Sequence, residues 1–143
     1  MARKPVVYVS RITNLSDARY CAGMGVDMIG IVIDRNHPDY VSPQKYKEMI
    51  GWISGPRHVA EFTTTINIDQ VIKQYAVDFF HIQFASLPQV QSNDIPLLVE
   101  ISWEEYMKGT PVFNQEQLHT IAYLIITGVP IEVNFHFPET PSR

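Results

Sequence analysis

The sequence predicts an α/β fold built on a parallel sheet of about six strands, closed off by one antiparallel strand at the C-terminal end. Three observations predict it. Six short apolar runs recur along the chain, helix-opening signals stand between them, and only the segment after the sixth run alternates strictly. Near-continuous apolar runs suit strands covered on both faces, and their alternation with helices implies right-handed crossovers.

The first run is Pro5–Ser10, rich in β-branched residues. Asn14 then reads as an N-cap, with Asp17 near the positive end of the helix dipole. Leu15, Ala18, Cys21 and Ala22 share one helical face, and Gly23 and Gly25 end the helix. The second run is Val26–Ile33, followed by a polar loop from Asp34 to Tyr40. Ser42 and Pro43 form a cap and first-turn pair, opening a helix with Tyr46, Met49, Ile50 and Ile53 inward.

A third strand is expected over His58–Thr63. Asn67–Gln70 is a capping-box pattern, with Ile66 and Val71 as its hydrophobic staple. The buried stripe of that helix is expected to be Ile68, Val71, Ile72 and Tyr75. The fourth strand is Asp78–Phe84, followed by a helical turn near Leu87–Gln91, and the fifth is Pro96–Ser102. A loop over Trp103–Phe113 leads to a second cap pattern at Asn114–Gln117 and a short helix before strand six, Ala122–Thr127.

After Gly128-Val129-Pro130 the rhythm breaks. Ile131, Val133, Phe135 and Phe137 alternate with polar residues, the period of a strand with one wet face. Three linking residues are too few for a parallel crossover. This strand is therefore an antiparallel return, an edge strand or a segment exchanged with another chain. One domain is expected over 1–137, with a polar tail at 138–143.

Hydrophobic content of 45%, 18% charged residues and a net charge of −4 are ordinary for a globular protein and argue against a nucleic-acid surface or an anionic membrane as partner. Val6–Val9 is too short for a signal peptide, and no run approaches the roughly 20 apolar residues of a membrane span. Cys21, the single cysteine, allows no internal disulfide and reads as core packing. A cytoplasmic protein is expected.

Three stretches carry a specific resemblance: Ile12–Ala18, Gly25–Val32 and Tyr40–Pro43. In order and spacing they resemble phosphoribosylanthranilate isomerase, the (β/α)8 TIM-barrel enzyme of tryptophan biosynthesis, clearly over residues 5–84 and more weakly through strand six. The resemblance implies an incomplete TIM barrel. It also implies the family's chemistry, an Amadori rearrangement of an aminoaldose to an aminoketose by a paired base and acid, without a cofactor.

The same resemblance shows what has changed. The family's basic cysteine at the end of strand one corresponds to Ser10, and the glycine after it to Arg11. The acidic aspartate at the end of strand six corresponds to Thr127, and a carboxylate-recognising arginine after strand two to Asp39. The Gln-Leu-His-Gly motif of strand four corresponds to His81-Ile82-Gln83-Phe84. The family's phosphate site belongs to loops after strands seven and eight, which lie beyond these residues. Two hydroxyls cannot shuttle protons near neutral pH, and losing an acid and a base each removes roughly 10²–10⁴-fold in rate.

A pseudoenzyme acting as a binding or interaction module is therefore expected. The alternatives are an isomerase completed by a missing C-terminal part, or a repurposed small-molecule site at the strand ends. Ligand-binding candidates are Arg11, Asp34, Arg35, Asp39, His81, Gln83 and Glu100. Ligand sites gather at this end of parallel sheets, although the same residues also suit a solvated loop surface. A small phosphorylated or carboxylate ligand is the expected kind.

Glu61 and Glu100 stand within apolar runs, where an unpaired carboxylate is costly. Water, or pairing with Arg11 or Arg35, is expected to resolve this. The five histidines show no metal-ligand spacing, so no metal is expected. Trp52, Trp103 and Tyr106 are expected in core or interface packing. Open sheet edges favour a homodimer, formed through the open barrel side or the C-terminal strand.

Overall fold

The computed structural model describes residues 5–63, 67–90, 94–109, 113 and 115–130. Six strands form one parallel sheet in sequence order: β1 (Tyr8–Val9), β2 (Met28–Val32), β3 (Arg57–Glu61), β4 (Phe79–Gln83), β5 (Leu97–Ser102) and β6 (Ile121–Thr127). Each pairs in parallel with the next, with an irregularity between Leu97 and Leu98 where β5 meets β6. This is the expected partial barrel. The Ile131–Phe137 strand, the 138–143 tail, the Ile66 staple and the Asn114 cap lie outside the described residues.

The helices start where side chains replace missing backbone partners. In α1 (Leu15–Gly23) the Asn14 side chain accepts the Asp17 N–H at 2.8 Å. In α2 (Pro43–Ile50) Ser42 accepts the Lys45 N–H at 3.2 Å. In α3 (Ile68–Gln74) Asn67 accepts the Gln70 N–H at 3.1 Å. A 3₁₀ turn (Phe84–Ser86) runs into α4 (Leu87–Val90) after β4.

Two expectations are corrected here. The segment after β5 is not a loop throughout: Trp103–Met107 form α5, capped by Ser102, ahead of the expected short helix before β6, α6 (Gln115–Thr120). Ser102-Trp-Glu-Glu105 is itself a cap pattern and was the available signal. In α3 the inward residues are Val71 and Tyr75, while Ile72 is exposed. It follows Val71 directly and so lies about 100° round the helix from it. Of the aromatics expected in core or interface packing, Trp52 and Tyr106 lie outside the core and are exposed, Tyr106 stacking on Trp103 with ring centroids 6.0 Å apart.

The main core lies between the helices and one face of the sheet: Ile29, Ile31, Ala60, Phe80, Ile82 and Val99 meet Ala18, Cys21, Tyr46, Met49, Val71 and Tyr75. Buried phenols lock these layers. Tyr46 donates to the Ala76 carbonyl at 2.7 Å and lies 2.8 Å from His58 Nδ1, while Tyr75 donates to the Val41 carbonyl at 2.7 Å. The opposite face carries a smaller cluster of Met28, Val59, Phe79 and Leu98, with Tyr8 and Ile125 against it. Side chains alternate along each strand, so that face also presents Glu61, His81 and Glu100 at the strand C-terminal ends.

Candidate ligand-binding site

Register brings the polar side chains together. Glu61 lies opposite His81, and Gln83 opposite Glu100, so residues on three adjacent strands point the same way. Tyr8 reaches in from β1, crossing β2 where Gly30 leaves room for its hydroxyl.

The result is one hydrogen-bonded chain across the sheet. The Arg11 backbone N–H donates to Glu61 Oε1 at 3.1 Å, and the Tyr8 hydroxyl donates to Glu61 Oε2. The same hydroxyl is 2.8 Å from His81 Nδ1. His81 Nε2 is 2.8 Å from Glu100 Oε1, and the Gln83 amide donates to Glu100 Oε2 at 3.1 Å. Tyr8 has one proton, and it goes to Glu61. With that direction, Nδ1 donates to the phenol oxygen and Nε2 to Glu100, the pattern that a doubly protonated His81 satisfies.

The surroundings agree with that proton count. Burial by itself disfavours the imidazolium, but hydrogen bonding and charge from Glu61 and Glu100 outweigh it and raise the His81 pKa above its ordinary value. Burial first, and then the Glu61 charge, push the Tyr8 phenol far up, so it stays neutral. Glu61 Oε2 is also 3.6 Å from His81 Nδ1. Arg11 takes a φ of +56°, the left-handed region that favours glycine, and this turns its N–H toward Glu61.

Asp34 supplies a third carboxylate just past β2, buried as Glu61 is. It accepts the Thr63 N–H at 2.9 Å and the Thr63 hydroxyl at 3.1 Å. Together these groups wall a cavity of about 280 Å³.

Of the sequence-predicted residues, Ser10, Arg11, Asp34, His81, Gln83 and Glu100 line this cavity. Arg35 faces a separate cleft with Tyr40, Asn67 and Tyr75, and Asp39 sits in the preceding loop, its N–H donating to His37 Nδ1. Thr127 is the last residue of β6, at the far edge of the sheet from Ser10.

Glu61 pairs with Tyr8, His81 and the Arg11 amide rather than with an arginine side chain, which corrects the expected pairing. Sequence reasoning missed Tyr8, His37 and Thr63. The clue for Tyr8 was a phenol in the same short run that precedes Ser10, but its partner is 53 residues away. Among the described residues no cluster of three or more His, Cys, Asp or Glu could hold a metal, and no helix is long and apolar enough to cross a membrane.

No family model matches the chain, and no curated protein is similar enough in sequence to count as a match. Solved structures do match in shape. Phosphoribosylanthranilate isomerase from Thermotoga maritima superposes with a TM-score of 0.66 at 17% identity, over 87% of this chain and 77% of that one. TrpF from Jonesia denitrificans gives a TM-score of 0.67 at 13% identity, over 86% of this chain and 61% of that one. A phosphoribosylanthranilate isomerase in complex with reduced 1-(o-carboxyphenylamino)-1-deoxyribulose 5-phosphate gives 0.61 at 18% identity, over 81% of this chain and 58% of that one. The chain thus spans about three-fifths of the length of two of these proteins. Its described residues have the fold of the phosphoribosylanthranilate isomerases, as six parallel strands of a partial TIM barrel.

Proposed function

We propose that the chain is a phosphoribosylanthranilate isomerase-like protein that does not catalyse the isomerisation and serves as a binding or interaction module. The observation that carries this reading is the content of the strand ends. Ser10 follows β1 and Thr127 ends β6, two hydroxyls in place of a proton-transferring pair, while the space between is walled by Glu61, His81 and Glu100. A substrate bearing carboxylate and phosphate would meet the carboxylates of Asp34, Glu61 and Glu100 there, at a cost set by like-charge repulsion.

The interaction half of the reading draws on the sheet margins. Val6 and Val7 beside β1 and Tyr123 and Leu124 on β6 are exposed apolar residues, which suits a homodimer formed through the open side of the barrel. A cytoplasmic location accords with Cys21, free and buried. Sedimentation at micromolar concentration tests the dimer, and a monomer there overturns it.

A second reading, an isomerase completed by a separate C-terminal part, draws on the share of the solved isomerases that this chain spans. Complementation of a tryptophan auxotroph decides between them. No growth with or without an added C-terminal barrel fragment is the outcome expected of the silent protein. Growth only with the fragment would establish the second reading, and growth with this chain alone would overturn the first.

A further inference from the structure

We propose that the strand-end cavity is a binding site for a small organic cation, a primary ammonium compound, received by the carboxylates of Glu100 and Glu61. The proposal rests on the reading of the chain as a binding module, and it replaces the expected anionic ligand with one of opposite charge.

The wall carries Asp34 from the loop after β2, Glu61 from β3 and Glu100 from β5. Asp34 and Glu61 are 7% and 8% exposed, so little water screens their field, and the cavity focuses it. Among the residues that line the cavity, opposing charge comes from His81 and from Arg11. The Arg11 guanidinium makes no ion pair among the described residues, and the residue is exposed, so solvent screens it. Its contact with Glu61 is through the backbone N–H.

Glu100 is the carboxylate a ligand meets first, its side chain being 25% exposed against 10% for Glu61. Beside it stand the Gln83 amide and, across the cavity, the Thr63 hydroxyl, polar groups that can orient an amine or a hydroxyl substituent. A volume of about 280 Å³ is at the small end for ligand pockets and excludes large guests.

The one positive group held between the two glutamates, His81, is titratable. An ammonium placed against the same carboxylates lowers the affinity of His81 for its second proton, so binding expels a proton and tightens as pH rises. Tyr8 faces His81 from β1 and stays neutral, and His37 lies on the rim.

Isothermal titration of the full chain with ethanolamine and with 1,4-diaminobutane tests this, in two buffers of different ionisation heat and with ribose 5-phosphate as the anionic comparison. The expected result is amine binding with proton release, tighter at about pH 8 than at about pH 6, and no heat with the sugar phosphate. Glu100→Gln weakens the amines roughly tenfold or more. Ser10→Lys, at an exposed lip residue outside the hydrogen-bonded chain, places a tethered ammonium at the mouth and weakens them by a similar factor. Absence of amine binding, binding unchanged in both variants, or preference for the anion overturns the proposal. Isomerase turnover, measured on the same sample, is a separate readout. Turnover overturns the binding-module reading, whereas the absence of both amine binding and turnover overturns this proposal and leaves that reading standing.

Discussion

The carboxylate of Glu61 lies over Gly30, in space that any side chain at that position would claim. A Cβ built on Gly30 would fall 2.6 Å from the Glu61 carboxyl carbon and 2.7 Å from the Tyr8 hydroxyl. Neither neighbour can retreat cheaply, because Tyr8 and Glu61 are bonded to each other and to groups on β4 and beyond β1.

Gly30→Ala is therefore expected to destabilise the fold by about 1–3 kcal/mol, the usual cost of overpacking a filled interior. Gly51→Ala is the comparison. Its Cβ would meet nothing closer than 3.4 Å, in a backbone conformation open to any residue, so denaturant unfolding should show little loss or a small gain.

Tyr8→Phe leaves a buried carboxylate short of one donor and the His81 ring short of one hydrogen-bond partner. A loss of about 1–3 kcal/mol is expected in the same measurement. The conservative size of the change separates this from a cavity effect, since no methylene is removed.

Two histidines are expected to tilt the pH dependence of stability in opposite directions. His81 binds its proton more tightly folded than unfolded, so its contribution is complete below about pH 6.5 and fades as pH rises through its folded pKa. Burial, set against the nearby Asp78 charge and the Ala76 carbonyl, lowers the pKa of His58. Its contribution is complete above about pH 6.5 and fades as pH falls. Thermal midpoints followed across this range should lose their alkaline decline in His81→Gln and their acidic decline in His58→Gln. An unchanged profile in either variant would contradict the assignment for that residue.

Asn14→Ala and Ser102→Ala each remove a helix cap, and each is expected to cost about 1 kcal/mol. The Ser102 variant bears on the site as well, because α5 follows directly from the strand that carries Glu100. Unfolding curves should show the two losses to be additive, as the caps lie on α1 and α5 at distant points of the sheet.

What could be read from the residues was local. Caps at Asn14, Ser42 and Asn67 and the β-branched runs between them stand out because each signal lies within a few residues of its effect. The strand-end cluster was only half legible. His81, Gln83 and Glu100 were marked by their place at the ends of strands, yet the partner of Glu61 was misjudged. Its neighbours come from β1 and β4, and only strand register and the missing side chain at Gly30 bring a phenol there instead of a guanidinium. Helix α5 escaped for a different reason. Its five residues carry too few turns for apolar periodicity, leaving the cap as the sole sign.

Arg11 combines two properties that usually travel apart: a backbone posture costly to every residue but glycine, and a cationic group with no ion-pair partner among the described residues. A single exchange, Arg11→Gly, relieves the first by roughly 1 kcal/mol and deletes the second. Robustness and recognition can therefore be traded at one codon, and the trade runs in a known direction: the hardier protein is the one with less positive charge at the cavity mouth.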